Sequence, residues 1–150
     1  MDNLAIEIDD NKPVFTIGVA AKKLNVVVPT LRMYEKAGLV LPYRNEFGRR
    51  LYSFADLRRF SYIKKQIKSE GLNLEGIRRL MAILPCWELK PCTAELREKC
   101  PAYNDCKMIC WMFPDTACKN KDRSCRTCSV YLQSCNMSNN LKQVLKDTNY

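Results

Sequence analysis

Histidine is absent from this 150-residue chain. That absence removes the Ser-His-Asp triad, the Cys-His protease pair and the His-Glu-x-x-His zinc site. It also leaves any metal site dependent on predominantly thiolate ligands. Long apolar runs are missing too: the longest, Met108 to Phe113, has six residues, against the roughly 18 that span a bilayer. Met1 to Asp10 carries acidic side chains and no basic one, the reverse of a secretory or transit peptide. The expectation is a soluble, cytoplasmic chain with no membrane partner. Lacking a catalytic pair and a cofactor-binding glycine motif, it is expected not to be an enzyme. Cysteine is absent from residues 1–85, and all nine cysteines lie between Cys86 and Cys135. Cytosolic thiols are kept reduced, which favours metal binding over a disulfide framework, and nine is an odd number that forbids complete internal pairing.

What is present divides the same way. The chain has 25 Lys+Arg against 16 Asp+Glu, a formal charge of +9, and residues 14–85 alone account for a net +9. Residues 86–135 offer only 15 apolar side chains besides their cysteines, too few for an ordinary independent core. Four segments are expected: an N-terminal arm (1–13), a basic packed domain (14–85), a cysteine-rich module (86–135) and a disordered tail (136–150). The tail is Asn-, Ser- and Lys-rich and has one weak apolar cluster, Leu141, Val144 and Leu145.

The basic domain is legible in outline. Thr16 can cap a short helix carrying Ile17, Ala20, Ala21 and Leu24 on one face. Asn25 to Val28 make a turn, and Pro29 suits the first turn of a second helix with Leu31 and Tyr34 inward and Gly38 as its stop. Leu39 to Tyr52 reads as two short strands around Glu46-Phe47-Gly48. Ser53 with Asp56 forms a capping box for a third helix, and Asn73 opens a fourth that Pro85 ends. The fold class is mainly α: a winged helix-turn-helix followed by a small, irregular, cysteine-rich metal-binding module. In such an arrangement the second helix enters the major groove and the wing follows the backbone. Thr30, Arg32, Met33 and Lys36 are left facing outward, and Arg44, Arg49 and Arg50 sit on the wing beside Tyr43 and Tyr52. Guanidinium groups there suit phosphate and guanine.

The runs Phe15-Thr16-Ile17-Gly18-Val19-Ala20, Pro29-Thr30-Leu31-Arg32-Met33-Tyr34-Glu35-Lys36-Ala37-Gly38-Leu39, Gly48-Arg49-Arg50-Leu51-Tyr52-Ser53 and Gly71-Leu72-Asn73-Leu74-Glu75-Gly76-Ile77 resemble the MerR family, most closely its HspR-like branch. The resemblance implies a homodimeric transcription regulator on a double-stranded, inverted-repeat operator, with RNA polymerase at the promoter as a further partner. It hands DNA contacts to Arg32, Tyr34, Arg49, Arg50 and Tyr52, and less firmly to Thr16 and Arg44. Tyr34 has a second reading as a core aromatic. MerR relatives follow this domain with a long dimerisation helix. Here Pro85, Pro91 and Pro101 break the chain, so either the cysteine module dimerises the protein or dimerisation depends on the operator. The only helix expected in this region is Cys92 to Cys100.

Among the cysteines only Cys125-Arg126-Thr127-Cys128 has the two-residue gap that lets both thiolates bind one metal. Cys86-Trp87, Cys110-Trp111, Cys100-Pro101-Ala102-Tyr103 and Cys125-x2-Cys128-x2-Tyr131 resemble the modules called two-CW domains. The metal-ligand set expected is Cys86, Cys92, Cys100, Cys106, Cys110, Cys118, Cys125 and Cys128, with Cys135 outside it. Eight thiolates suit iron–sulfur clusters or two zinc ions, the first a sensor and the second a structural staple. A reversible thiol switch is a third reading, with Lys99, Lys107 and Arg126 as the residues that would lower a thiol pKa. SoxR-like members of the resembled family sense redox stress through a cluster, although their cysteine spacing differs. The functional expectation is a MerR-type regulator sensing redox state or metal through its cysteines, or else stabilised by structural zinc. A redox carrier with a docking helical domain is the remote alternative.

Overall fold

The computed structural model describes residues 7–119, 124–140, 142–143 and 146. Leu141, Val144 and Leu145, and the first six residues of the arm, lie outside this set. Eight α-helices and one two-stranded sheet are described: α1 (Ile17–Leu24), α2 (Val28–Lys36), β1 (Tyr43–Arg44), β2 (Arg50–Leu51), α3 (Phe54–Lys68), α4 (Leu74–Ala82), α5 (Cys86–Leu89), α6 (Ala94–Glu98), α7 (Pro101–Asn104) and α8 (Ser129–Asn139). Short 3-10 turns at Cys110–Met112 and Cys125–Thr127 complete the order. None of the described helices is long and apolar enough to cross a membrane.

Local chemistry sets the helix limits of the first half. The Thr16 hydroxyl accepts the Val19 N–H at the start of α1, and Asn25 ends it in the left-handed region with φ 53°. Val27 caps α2 without a side-chain bond, and Pro29 sits in the first turn, where a missing N–H costs nothing. Ser53 and Asp56 form the expected reciprocal capping box on α3, and Asn73 caps α4 through the Gly76 N–H. β1 pairs antiparallel with β2 in the register Tyr43 to Leu51 and Arg44 to Arg50. Asn45 Oδ1 closes the wing tip by accepting the Phe47 and Arg49 N–H groups. Leu31, Leu39, Val40, Tyr52, Phe60, Ile63 and Ile77 are essentially inaccessible. Each such side chain contributes about 1.5–3 kcal/mol by leaving water.

Pro85 divides the composition of the chain but not its packing. Ile109, Trp111, Val130 and Tyr131 belong to the same buried cluster as Leu31, Tyr34, Leu39 and Phe60. The sparse apolar complement of residues 86–135 is thus spent on the neighbouring domain. Two sequence expectations require correction. The module is built largely of helical pieces, with α5 and α7 flanking the expected helix around α6. The expected disordered tail from Asn136 is wrong for its first residues, because α8 runs through Asn139 and Met137 is buried. Ser and Asn are poor helix formers, so α8 depends on tertiary bonds: Arg59 Nη1 to Ser134 Oγ (2.8 Å) and Tyr62 to Ser138 between their hydroxyls (2.6 Å).

Gly38 shows how closely the halves meet. Its φ is +76°, and a Cβ there would lie 2.7 Å from Met112 Cε. Gly48 at the wing tip has a similar φ of +75° with nothing within 4 Å. Gly48→Ala should therefore cost about 1 kcal/mol of backbone strain alone. Gly38→Ala should cost about 2–4 kcal/mol, strain plus overpacking. Urea unfolding of the two variants checks this, and equal losses would mean that Met112 yields freely.

Candidate nucleic-acid interface and cysteine cavity

The exposed side of α2 carries Arg32, Met33 and Lys36 around Val28 and Pro29, with Thr30 half-buried at its edge. This follows from burying Leu31 and Tyr34, which leaves the remaining helical positions facing water. Arg44, Arg49 and Arg50 are exposed on the wing, Phe47 projects at its tip, and Thr16 is exposed at the α1 N-terminus while serving as its cap. Tyr34 is 4% exposed and Tyr52 is 0% exposed. Both rings pack near Phe60, which makes them core aromatics first. The Tyr52 hydroxyl donates to Glu35 Oε1, and Arg50 Nε lies 3.3 Å from Glu35 Oε2. Glu35 thus ties the exposed helix to the wing. Its desolvation raises its pKa, opposed by Arg50, Arg32 and Arg44. In the interval between its unfolded and folded pKa the folded state holds the extra proton, so this carboxyl's contribution to stability falls as pH rises.

Seven cysteines, Cys86, Cys92, Cys100, Cys110, Cys118, Cys125 and Cys128, line one cavity of about 230 Å³ together with Lys90, Thr116, Leu96 and Val130. Cys106 is exposed and does not line it. Cys135 lines a different groove, with Asp56, Arg59, Tyr62 and Arg126. All nine cysteines are free thiols. Burial, with smaller contributions from Cys100, Cys92 and Cys118, pushes the Cys86 thiol up to about 11. Cys110 is driven higher still by burial and by Cys86, Cys118, Cys128 and Cys125. Cys125 also rises, chiefly through burial. Neutral buried thiols are poor nucleophiles, which weighs against Cys86, Cys110 and Cys125 as switch thiols. Arg126, expected to activate a thiol, is instead committed to Asp56.

In donor chemistry and in room the cavity suits a thiophilic metal group, because its seven thiols are soft ligands and it holds more than a single water-sized occupant. Among the described residues, however, no three Cys, His, Asp or Glu side chains are gathered closely enough to hold one ion. Lys90 Nζ lies 3.8 Å from Cys128 Sγ and Thr116 Oγ1 lies 3.3 Å from Cys118 Sγ. Both can donate to a sulfur. The two Cys-Trp steps have parallel surroundings: Trp87 packs edge-on against Tyr103 and Trp111 edge-on against Tyr131, at 5.0 and 5.1 Å. Arg97 lies over the first tyrosine, and Arg59 of α3 lies over the second at 3.9 Å.

That second pair fastens the module to α3 and to the segment between α2 and β1, with the help of Arg59, which the sequence did not single out. Arg59 is 5% exposed and has hydrogen bonds to Leu39 O, Tyr131 O and Ser134 Oγ. Trp111 Nε1 donates to Gly38 O at 2.7 Å, and the Tyr131 hydroxyl accepts the Leu41 N–H at 2.9 Å. Arg126 donates to Leu41 O and grips both carboxylate oxygens of Asp56. One signal was available: Arg59 lies three residues after Asp56 and one before Phe60, on the buried side of α3.

Comparison with known proteins agrees with this geometry. The family model described as MerR HTH family regulatory protein matches residues 15–83. A Streptomyces coelicolor protein bearing the name HspR is 34% identical over 93 residues, which is 62% of this chain and 58% of that protein. The HTH-type transcriptional regulator GlnR of Bacillus anthracis is 35% identical over 69 residues, covering 46% of this chain and 53% of its own. The HTH-type transcriptional regulator ZntR of Escherichia coli is 39% identical over 70 residues, 46% and 49% respectively. The chain spans about half the length of the curated relatives it matches. With helix order, wing and exposed basic face in place, residues 15–83 are a MerR-family helix-turn-helix regulatory domain of HspR-like type.

Proposed function

We propose that the chain is a transcription regulator that binds double-stranded DNA at an inverted-repeat operator, as a homodimer. The observation that carries this reading is the exposed face formed by Arg32 and Lys36 on α2 with Arg44, Arg49 and Arg50 on the wing. The relatives named above as transcriptional regulators support it. In this reading Arg32 reads a base edge and Thr30 and Lys36 flank it, while the wing arginines neutralise phosphates. Tyr34 and Tyr52 position this reader, the second by holding Glu35. Arg49→Ala should weaken binding to all sequences and flatten the salt dependence by about one unit. Arg32→Ala should instead narrow the gap between operator and random DNA by about 10-fold or more. Fluorescence anisotropy over a salt series separates the two. An unchanged salt slope would remove Arg49 from the phosphate contacts, and equal losses on both DNAs would move Arg32 to the backbone.

The cysteine module belongs to this function as its sensing half, with the cavity cysteines holding an iron–sulfur cluster or zinc. Four of Cys86, Cys92, Cys100, Cys110, Cys118, Cys125 and Cys128 would ligate one such group, and Lys90 would stabilise thiolate charge at Cys128. A bound cluster would supply a charge that changes with oxidation, whereas zinc would supply a fixed cross-link. What the chain's own residues do is transmit position: Trp111, Arg126 and Tyr131 join cavity-lining segments to the domain that carries α2 and the wing. Metal and acid-labile sulfide assays on anaerobically purified protein test the cofactor. Absence of both would refute it.

A further inference from the structure

We infer that the segment joining α2 to the wing, Gly38 to Leu41, is where the state of the cysteine cavity is received, and that Trp111, Arg126 and Tyr131 are the positioning residues that deliver it. This rests on the proposed sensing role and names its route.

Gly38, Leu39 and Val40 are buried and Leu41 is half-buried, so their backbone polar groups need partners inside the protein. The Gly38 and Leu39 N–H groups donate to Glu35 O and Tyr34 O, and side chains meet four of the other groups. Gly38 O takes the Trp111 indole N–H, Leu39 O the Arg59 guanidinium, Leu41 N–H the Tyr131 hydroxyl and Leu41 O the Arg126 guanidinium. Three of these four partners come from the cysteine module. Each is tethered to the cavity at short range: Trp111 follows Cys110, Arg126 lies between Cys125 and Cys128, and Tyr131 is three residues beyond Cys128 on α8.

Such tethers are short in sequence. A change at the cavity that moves the backbone of Cys110, Cys125 or Cys128 by about 1 Å carries the attached donor or acceptor with it, and hydrogen bonds weaken steeply over that range. The segment cannot keep all four bonds while the cavity changes shape. It either follows, rotating α2 against the wing, or loses buried bonds. Gly38 sharpens the coupling, because Met112 occupies the space where a Cβ would stand. A purely structural clamp would use the same bonds but would not respond to the cavity, and that difference can be measured.

The test is hydrogen exchange of the full chain, reading the peptide over residues 38–44 against a peptide from α1. Wild type is compared with Cys125→Ser, Trp111→Phe and Tyr131→Phe, each with and without added Zn²⁺ under reducing conditions, alongside affinity for DNA from the chain's own upstream region. Tyr131→Phe should speed exchange at the Leu41 amide by about 3- to 10-fold, the worth of one hydrogen bond. Cys125→Ser, which removes none of the four partners, should speed exchange at the same peptide by at least about 2-fold while α1 is unchanged. A Zn²⁺ effect on this peptide in wild type should shrink in Trp111→Phe and Tyr131→Phe. If neither Cys125→Ser nor Zn²⁺ alters residues 38–44, or if the Zn²⁺ effect persists undiminished in both aromatic variants, the route is overturned. Should Cys125→Ser unfold the module, the Zn²⁺ comparison decides alone. Exchange that responds while DNA affinity stays fixed would keep the route and refute the sensing role.

Discussion

Arg59→Ala should cost about 3–5 kcal/mol of folding stability, among the largest losses available to a single substitution in this chain. The guanidinium is 5% exposed and has hydrogen bonds to two carbonyls and a hydroxyl. It also lies 3.9 Å from the centre of the Tyr131 ring and 5.3 Å from that of Trp111. Removing it leaves Leu39 O buried without this donor, at about 1–3 kcal/mol before relaxation, whereas Tyr131 O keeps the Ser134 hydroxyl. It also forfeits a desolvated cation–π contact of about 2 kcal/mol. Arg59→Lys should recover less than half of the loss, because one ammonium cannot satisfy that fork and stack flat on a ring. Chemical denaturation of the three proteins decides this. A loss below about 1 kcal/mol for Arg59→Ala would mean that the two halves are not held together at this point.

Asp56→Ala should be nearly as costly, about 3–4 kcal/mol. Asp56 accepts the Ser53 N–H at 2.7 Å as part of the α3 capping box, and its two oxygens receive the Arg126 fork. The side chains of this pair are 5% and 14% exposed. Truncating the carboxylate strands a guanidinium in a largely dry setting and removes half of the α3 capping box, the bond from the Ser53 N–H, while the Ser53 hydroxyl still accepts the N–H of residue 56. The pair should therefore be strongly non-additive: Asp56→Ala with Arg126→Ala should cost less than the two single changes together, by about 1–3 kcal/mol. Strict additivity would show that each side chain works independently of the other.

These two residues also mark the limit of what the sequence disclosed. Thr16, Ser53 with Asp56, and Asn73 were readable as caps because capping chemistry operates within three residues. The inward faces of α2 and α3 were readable from helical spacing, and Pro29 and Gly38 from backbone restriction. Arg126 bonds across 70 residues to Asp56, Arg59 across 72 to Tyr131, and Tyr131 across 90 to Leu41. No local pattern encodes such pairings, so Arg126 read as a thiol activator and Arg59 was not singled out. The convergence of seven cysteines has the same character: spacing singled out only Cys125 and Cys128, and the resemblance to two-CW domains grouped Cys106 with residues whose cavity it does not line. The wing arginines and α2 were legible because exposure is what remains after the core positions are assigned.

One measurement bears most directly on the central proposal, that a DNA reader is governed by the cysteine cavity. Protein purified without oxygen is assayed for iron, zinc and sulfide, and its affinity for DNA from its own upstream region is measured before and after chelation under reducing conditions. Complete removal of the metal should change that affinity by about 5-fold or more, the usual scale of coupling between two sites. Equal affinity of the loaded and stripped protein for the same DNA would contradict it.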